Sequence, residues 1–329
     1  MKCINKRFVR VCSLLLVCSL CTISGTGGGE NRLEDAFEAD LPGIGIQTSE
    51  ESSKIPYFAS NLCVTDADVQ DIEADTEDAL AACFFNLDEK KVLYAKNIHE
   101  RMYPASTTKI MTALVALDKG DLDAQTTVSK EAITFSESGV STAKLKEGDV
   151  LTLRQLLYAL LTVSANDAAN VIAEQIAGSQ DAFVEMMNQE AQKIGATNTH
   201  FVNANGLHSE DHYTTVYDLY LMFNAAMQHE EFLQMLQEKE YQTSYQAADG
   251  TTVEAVWSTT NQFTKGDVTV PDGVTAVGGK TGTTTAAMSC LVQLFEDAQG
   301  EQYVAIILGC KERGILYQEM QTFLSNLNN

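Results

Sequence analysis

A serine is followed three positions later by a lysine at two places in the sequence: Ser106 and Lys109 in PASTTKIMTALVAL, and Ser141 and Lys144 in STAKL. On a helix, residues i and i+3 share a face, so an amine there can reach the hydroxyl, take its proton and make the serine a nucleophile. The spacing alone carries little, because two common residues at one fixed offset recur by chance in a chain of 329 residues. Context separates the two. Ser106 stands just behind Pro104 and opens an apolar run, Ile110, Met111, Leu114, Val115 and Leu117, with the period of a buried helix that would hold it rigidly. Ser141 and Lys144 lie in SESGVSTAKLKEGD, polar and rich in turn residues, where a lysine stays solvated and protonated. The plain alternative for Ser106 is a helix N-cap.

A lysine with its free pKa of about 10.4 is a poor base at neutral pH, and lowering it by about 3 units costs roughly 4 kcal/mol, which burial and a second nearby cation can supply. Lys280, in VGGKTGTTT, is the candidate for that cation, and it is followed by Thr281, Gly282 and Thr283. Gly282 lets a substrate backbone approach a strand edge, while Lys280 with the hydroxyls of Thr281 and Thr283 can grip a carboxylate. Ser164 and Asn166, in LLTVSANDAAN, supply a hydroxyl to relay a proton and an amide with both donor and acceptor for a substrate amide. The plain alternatives are capping for Ser164 and Asn166, and an edge-strand charge for Lys280. Each motif alone is weak. S-x-x-K, S-x-N and K-T-G in that order, each on the element its task needs, form the set shared by penicillin-binding proteins and serine β-lactamases.

The elements that must position these residues can be read from periodicity. ALAACFFNL, a DEKK turn and VLYAKN predict a hairpin, followed by the helix behind Ser106. Helical patterns follow at 152–163, 167–177, 180–194 and 215–237. Three β-rich runs, GVTAVGGKTG, MSCLVQLF and YVAIILG, precede a final helix at 313–327. Strands at both ends with helices between predict one α/β domain whose sheet is assembled from distant segments.

The amino terminus carries Lys2, Lys6, Arg7 and Arg10, then an apolar run from Val11 to Ile23, then small residues. That run is short for a bilayer span of roughly 20 residues, so 1–27 is expected to be a secretory signal peptide. A lipid anchor at Cys18 or Cys21 is disfavoured by the bulky Val17 and Leu20. Residues 28–78 are acidic and without sustained periodicity, which predicts a disordered spacer ahead of a catalytic domain at 79–329. The chain is therefore expected to act outside the cytoplasm, secreted or held at the cell surface or wall, with membrane contact only through its amino terminus. A net charge of −23 repels phosphate and argues against nucleic acid as a partner. An acidic substrate can still bind where local cations meet it, because distant exposed charges are screened. Beyond the signal, Cys63, Cys83, Cys290 and Cys310 are expected as buried thiols. With no C-x-x-C or H-E-x-x-H, and only a loop-borne His208 and His212 at i, i+4, no cofactor or metal is expected.

From about Leu80 onward the chain resembles the D-alanyl-D-alanine carboxypeptidases of the low-molecular-mass penicillin-binding proteins, serine peptidase family S11. The likeness runs through YPASTTKIMTAL, LKEGDVLTLRQLLYALLTVSANDAAN, THFVNANGLHSEDHYTTVYDL and GGKTGTT. It implies a β-lactamase/transpeptidase-like α/β fold: an antiparallel sheet flanked by helices, with an all-helical subdomain. It also implies removal of the terminal D-alanine from peptidoglycan stem pentapeptides through an acyl-enzyme, and covalent inhibition by β-lactam antibiotics. Carried over, Ser106 is the acylated nucleophile, Lys109 its base and Ser164 with Asn166 the second element. Lys280, Thr281 and Gly282 form the carboxylate-binding strand, the backbone N–H groups of Ser106 and Thr283 the oxyanion hole, and Arg313 the match to an arginine that helps bind the carboxylate. Two departures stand out: TTTAAMSCL lacks a glycine that relatives often carry after K-T-G, and with only residues 312–329 after Lys311 neither the C-terminal β-rich domain nor the membrane helix of many relatives is expected.

Two rivals share the motifs. A class A β-lactamase needs a glutamate to activate the deacylating water, and the region after Ser164 offers only Glu174 and Glu185 in helix-like patterns. A non-catalytic β-lactam or wall-binding sensor would acylate without turning over.

Overall fold

The computed structural model describes residues 59–327. A six-stranded antiparallel sheet has the order β1-β3-β2-β10-β9-β8. Its strands are β1 (Val69–Gln70), β2 (Ala81–Asn86), β3 (Lys91–Lys96), β8 (Thr275–Thr284), β9 (Met288–Glu296) and β10 (Gln302–Cys310). The chain's first and last thirds meet where β2 pairs with β10, Cys83 opposite Ile306. β2, β9 and β10 read as almost continuous apolar runs because both faces of the sheet are covered. Cys83 and Phe85 point to one core, whereas Ala82 and Phe84 point to the other, where helix α8 (Arg313–Leu324) brings Met320 and Phe323 onto the sheet.

Helix α1 (Lys109–Lys119) runs behind the sheet and is buried along nearly its whole length, so it is apolar almost all round rather than striped. Around it pack α2 (Leu153–Leu161), α3 (Asn166–Ala177), α4 (Gln180–Lys193) and α5 (Val216–Ala226). The helical pattern expected over 215–237 is two helices, α5 and α6 (Glu230–Gln237), broken at 227–229, where His229 turns back to Asp118 at 3.1 Å.

Two expectations need correction. The helical layer also carries a small antiparallel sheet, β4 (Gln125–Thr127), β5 (Val150–Thr152), β6 (Glu240–Gln246) and β7 (Thr252–Ser258) in that order, so it is not all-helical. Its outer hairpin alternates exposed with half-buried residues, and polar side chains on the outer face masked the strand signal. Second, the acidic segment does not stay apart from the body up to residue 78. Cys63 is fully buried, its N–H donates to the Tyr220 hydroxyl at 2.9 Å, its thiol donates to the Asn86 carbonyl, and the Tyr217 hydroxyl donates to its carbonyl. Val69 pairs with Ala95 as β1 begins. Isolated anchors among acidic residues give no period, which is why the segment read as spacer. The signal peptide and residues 28–58 lie outside the described residues.

All four cysteines of the described residues are buried free thiols, and burial raises each above the ordinary thiol range. The missing glycine after K-T-G has a visible consequence: Met288 closes the β8–β9 turn at φ +55, a left-handed backbone that costs a side-chain-bearing residue about 1 kcal/mol or more. For the amino-terminal anchor, replacing Tyr220 by Phe should leave the Cys63 N–H buried without a partner and cost about 1–3 kcal/mol, read as a lower urea midpoint at unchanged slope.

Candidate active site

Ser106 sits in a 3-10 turn, Ala105–Thr108, that leads directly into α1. Neither the turn nor α1 has a side-chain cap, so Ser106 is not a capping residue. Its hydroxyl is half-buried and lies 3.0 Å from the Lys109 amine. Lys109 is fully buried, with Asn166 Oδ1 at 2.7 Å and the Asn205 carbonyl as further partners. A neutral amine satisfies all three contacts: two N–H groups donate to Asn166 and Asn205, and the lone pair accepts the Ser106 O–H. Burial, then the charge of Lys280, push the Lys109 amine well below the ordinary lysine range, against the opposing pull of Asp167.

Ser164 occupies the break between α2 and α3 at φ +60, a conformation few residues other than glycine adopt. The Ala165 N–H reaches back to the Ala159 carbonyl, and the α3 cap position falls on Ala165 without a side-chain bond. Ser164 thus caps nothing. Its hydroxyl accepts from the Lys280 amine at 2.9 Å, and the same amine donates to the Thr281 carbonyl at 2.8 Å. Lys280 is on an edge strand, yet its side chain is 0 % exposed, which removes the solubilising-charge alternative. Burial brings its amine down to about 7.

Strand β8 is pressed against the nucleophile's turn at Gly282. A Cβ there would stand 3.0 Å from both the Pro104 carbonyl oxygen and the Ser106 nitrogen, so only glycine fits without displacement. Thr283 is exposed at the strand edge, its hydroxyl donating to the Gly282 carbonyl and lying 3.5 Å from an Arg313 amine. The structure therefore brings Ser106, Lys109 and Asn166 into one hydrogen-bonded group and Ser164 with Lys280 into a second, coupled to the first through the charge of Lys280. Thr281, Gly282, Thr283 and Arg313 form its strand-side wall. Ser141 and Lys144 stay separate: Ser141 donates to the Val163 carbonyl, and Lys144 is exposed. A separate cavity of about 760 Å³ lies at the far end of β8 beside Phe263 and Val270 and contains none of these residues.

Several supporting residues escaped the sequence reading. The Asn205 carbonyl is held by a network in which Asn205 donates to Asn170 at 3.0 Å and accepts from the Leu207 N–H. Backbone acceptors have no residue signature, so no motif search finds them. Thr260 meets Thr281 hydroxyl to hydroxyl at 2.6 Å. His212 is buried and held down to about 3, first by burial; its Nδ1 accepts from the Val202 N–H and its neutral Nε2–H donates to Thr108 beside the nucleophile's turn. Asn166, expected to offer a substrate both donor and acceptor, gives its oxygen to Lys109 and keeps only its donor.

A family model described as D-alanyl-D-alanine carboxypeptidase matches residues 68–312. The D-alanyl-D-alanine carboxypeptidase DacC of Escherichia coli is 32 % identical over 267 residues, covering 78 % of this chain and 62 % of its own length. DacB2 of Mycobacterium tuberculosis is 34 % identical over 242 residues, with 73 % and 78 % covered. DacF of Bacillus subtilis is 39 % identical over 156 residues, 46 % of this chain and 40 % of its own, so the chain spans less than two thirds of the length of two of these relatives. The crystal structure of the Streptomyces K15 DD-transpeptidase superposes with a TM-score of 0.71 at 28 % identity, covering 77 % of this chain and 98 % of the other.

The buried amine of Lys280 sets a test. Its folded pKa, about 7, lies below the free value of 10.5, so between those values the unfolded chain holds a proton that the folded chain has released, and stability rises with pH. Below about 7 the full cost is present. Relative to Lys280→Met, the wild type should gain roughly 2–3 kcal/mol between pH 7 and pH 9 in chemical denaturation.

Proposed function

The chain belongs to the D-alanyl-D-alanine carboxypeptidase family, and on that premise we propose that it is a serine-type enzyme that removes the terminal D-alanine from peptidoglycan stem pentapeptides and is acylated by β-lactams at Ser106. The observation that carries this reading is the fully buried Lys109 amine 3.0 Å from the Ser106 hydroxyl, its pKa held well below the ordinary lysine range by burial first and then by Lys280.

In the proposed sequence, Ser106 Oγ attacks the carbonyl of the penultimate D-alanine while its proton passes to Lys109 Nζ. The developing oxyanion faces the backbone N–H groups of Ser106 and Thr283, a pair whose loss would cost several kcal/mol of transition-state stabilisation at about 3 kcal/mol per donor. The amide C–N bond breaks as Ser164, held by Lys280, passes its proton to the departing amine and takes the one Lys109 received from Ser106, so D-alanine leaves with Lys109 neutral again. Water then attacks the ester, giving its proton to neutral Lys109, and Lys109 passes that proton to the Ser106 oxygen as the ester C–O bond breaks and the tetrapeptide leaves. The free carboxylate of the terminal D-alanine is gripped by protonated Lys280, the hydroxyls of Thr281 and Thr283, and Arg313. The Asn166 amide donor holds the substrate carbonyl on the acyl side. The substrate places this work outside the cytoplasm.

The structural relative is a DD-transpeptidase, which favours a second reading in which an amine replaces water as the acyl acceptor. Product analysis separates the two: hydrolysis gives only free D-alanine and tetrapeptide, whereas transfer also gives a cross-linked dimer. Neither glutamate that a lactamase reading would need is among the site residues: Glu185 is exposed on α4, and Glu174 accepts from Gln180 at 3.5 Å.

Incubation with penicillin should leave a lasting adduct on Ser106 by mass spectrometry, absent in Ser106→Ala together with D-alanine release. Rapid drug hydrolysis without an adduct would overturn the assignment, and an adduct without D-alanine release would point to a sensor. Lys109→Ala should lower kcat by about 10²–10⁴-fold, the usual share of a general base. Because Lys280 loses its proton as pH rises through about 7, kcat/KM should fall on the alkaline side with a midpoint near that value, and Lys280→Arg should move this limb upward.

A further inference from the structure

A cavity of about 600 Å³ opens one residue from Ser164, at Val163, and runs between the 142–146 loop and the β6–β7 hairpin. Its floor is aromatic: Tyr245 and Trp257 face it, 7 % and 4 % exposed. Its length follows β7, the outer strand of the small sheet, which contributes every residue from Val253 to Ser258. An outer strand keeps backbone donors and acceptors available for an extended peptide laid beside it.

The wall facing that strand is cationic. Lys144 and Lys146 line the cavity, both exposed, in a chain whose net charge is −23. Two carboxylates line it as well: Asp149 is buried and accepts the Lys146 N–H at 2.9 Å, and Glu254 stands exposed on β7, the strand that faces the lysines.

The loop is also built, not merely present. Lys144 stands at φ +63, and the backbone on both sides of it is tied to one buried carboxylate: Asp167 accepts the Ala143 N–H at 2.9 Å and the Leu145 N–H at 3.1 Å. The Asn166 N–H donates to the Ser141 carbonyl, and Ser141 donates to the Val163 carbonyl. The residues following Ser164 thus hold a strained lysine over a cavity beside the site, and strain of this kind is kept where surrounding structure over-determines it.

We infer that this cavity is a subsite for the acidic, extended portion of the peptide upstream of the D-Ala-D-Ala end, with a peptide carboxylate set against Lys144 and Lys146 and the backbone lying along β7. This rests on the carboxypeptidase reading. In a stem peptide the group in question is the free α-carboxylate left by a γ-linked D-glutamate. The second serine-lysine pair, rejected as chemistry, thereby has a binding role for its lysine.

Trp257 is the only tryptophan in the chain, so its fluorescence reports the cavity directly. Full-length protein is titrated with the tripeptide L-Ala-γ-D-Glu-L-Lys, which lacks the scissile bond. The expected result is a saturable change in Trp257 emission, with affinity about three- to tenfold weaker both for K144A/K146A and for the probe whose glutamate carboxylate is an amide. Unchanged circular dichroism shows that the variant is folded. A tripeptide that leaves Trp257 unaltered, or one that binds the variant as tightly as the wild type, overturns the subsite. In parallel, the kcat/KM preference for the pentapeptide over diacetyl-L-Lys-D-Ala-D-Ala should fall by the same factor in K144A/K146A. If no D-alanine is released from either peptide while the tripeptide still titrates Trp257 through the lysines, the carboxypeptidase reading fails and the subsite stands.

Discussion

Two lysine amines withdrawn from water, on elements far apart in sequence, are the constraint around which this structure is arranged. Lys109 and Lys280 are both 0 % exposed, and the cost of an ammonium in such surroundings lowers the pKa of each amine. The fold makes the protonation states unequal. Lys109 meets three oxygen partners, the Ser106 hydroxyl, Asn166 Oδ1 and the Asn205 carbonyl, and burial with the neighbouring Lys280 lowers its pKa. Keeping both amines buried requires α1 to be sealed by helices and β8 to lie flush against the turn that precedes α1, so close that a Cβ at Gly282 would press on the backbone of that turn at 3.0 Å.

Backbone strain gathers around the same place. Ala105, Ser164 and Lys144 all adopt positive φ without being glycine, at +48, +60 and +63. One precedes the nucleophile, one is the second serine, and one overlooks the adjoining cavity. Each is over-determined: Ala105 by the close approach of Gly206, whose own Cβ would meet the Ala105 oxygen at 2.0 Å, Ser164 by Lys280, and Lys144 by Asp167. A left-handed residue costs about 1–3 kcal/mol, and such costs persist at sites where geometry is fixed before the ligand arrives.

The legible parts of the molecule were those with a period or a rare residue order. The apolar run behind Ser106 announced α1, the near-continuous apolar strands announced β9 and β10, and three motifs in sequence marked both serines and both lysines. What escaped has a physical explanation in each case. The Asn205 carbonyl is a backbone group that any residue could supply. The β6–β7 hairpin hides its inner aromatic residues between polar ones. The segment from 59 to 78 is anchored by single residues such as Cys63, spaced too irregularly to reveal a folded partner. Helix 215–237 read as one because its break at 227–229 contains neither glycine nor proline.

Asp167 shows why neighbouring positions in such a motif do different work. It adjoins Asn166, which faces the Lys109 amine, yet its own carboxylate points the other way into the backbone of the 143–145 loop and is raised by burial while three N–H groups pull against that rise. One turn of α3 therefore fixes the base on one side and the cationic loop on the other. Its charge acts on Lys109 as well, opposing the depression of that amine's pKa. A change at Asp167 would loosen the loop and lower the amine's basicity together, so the site's reactivity and the shape of the adjoining cavity are set by the same short stretch of chain.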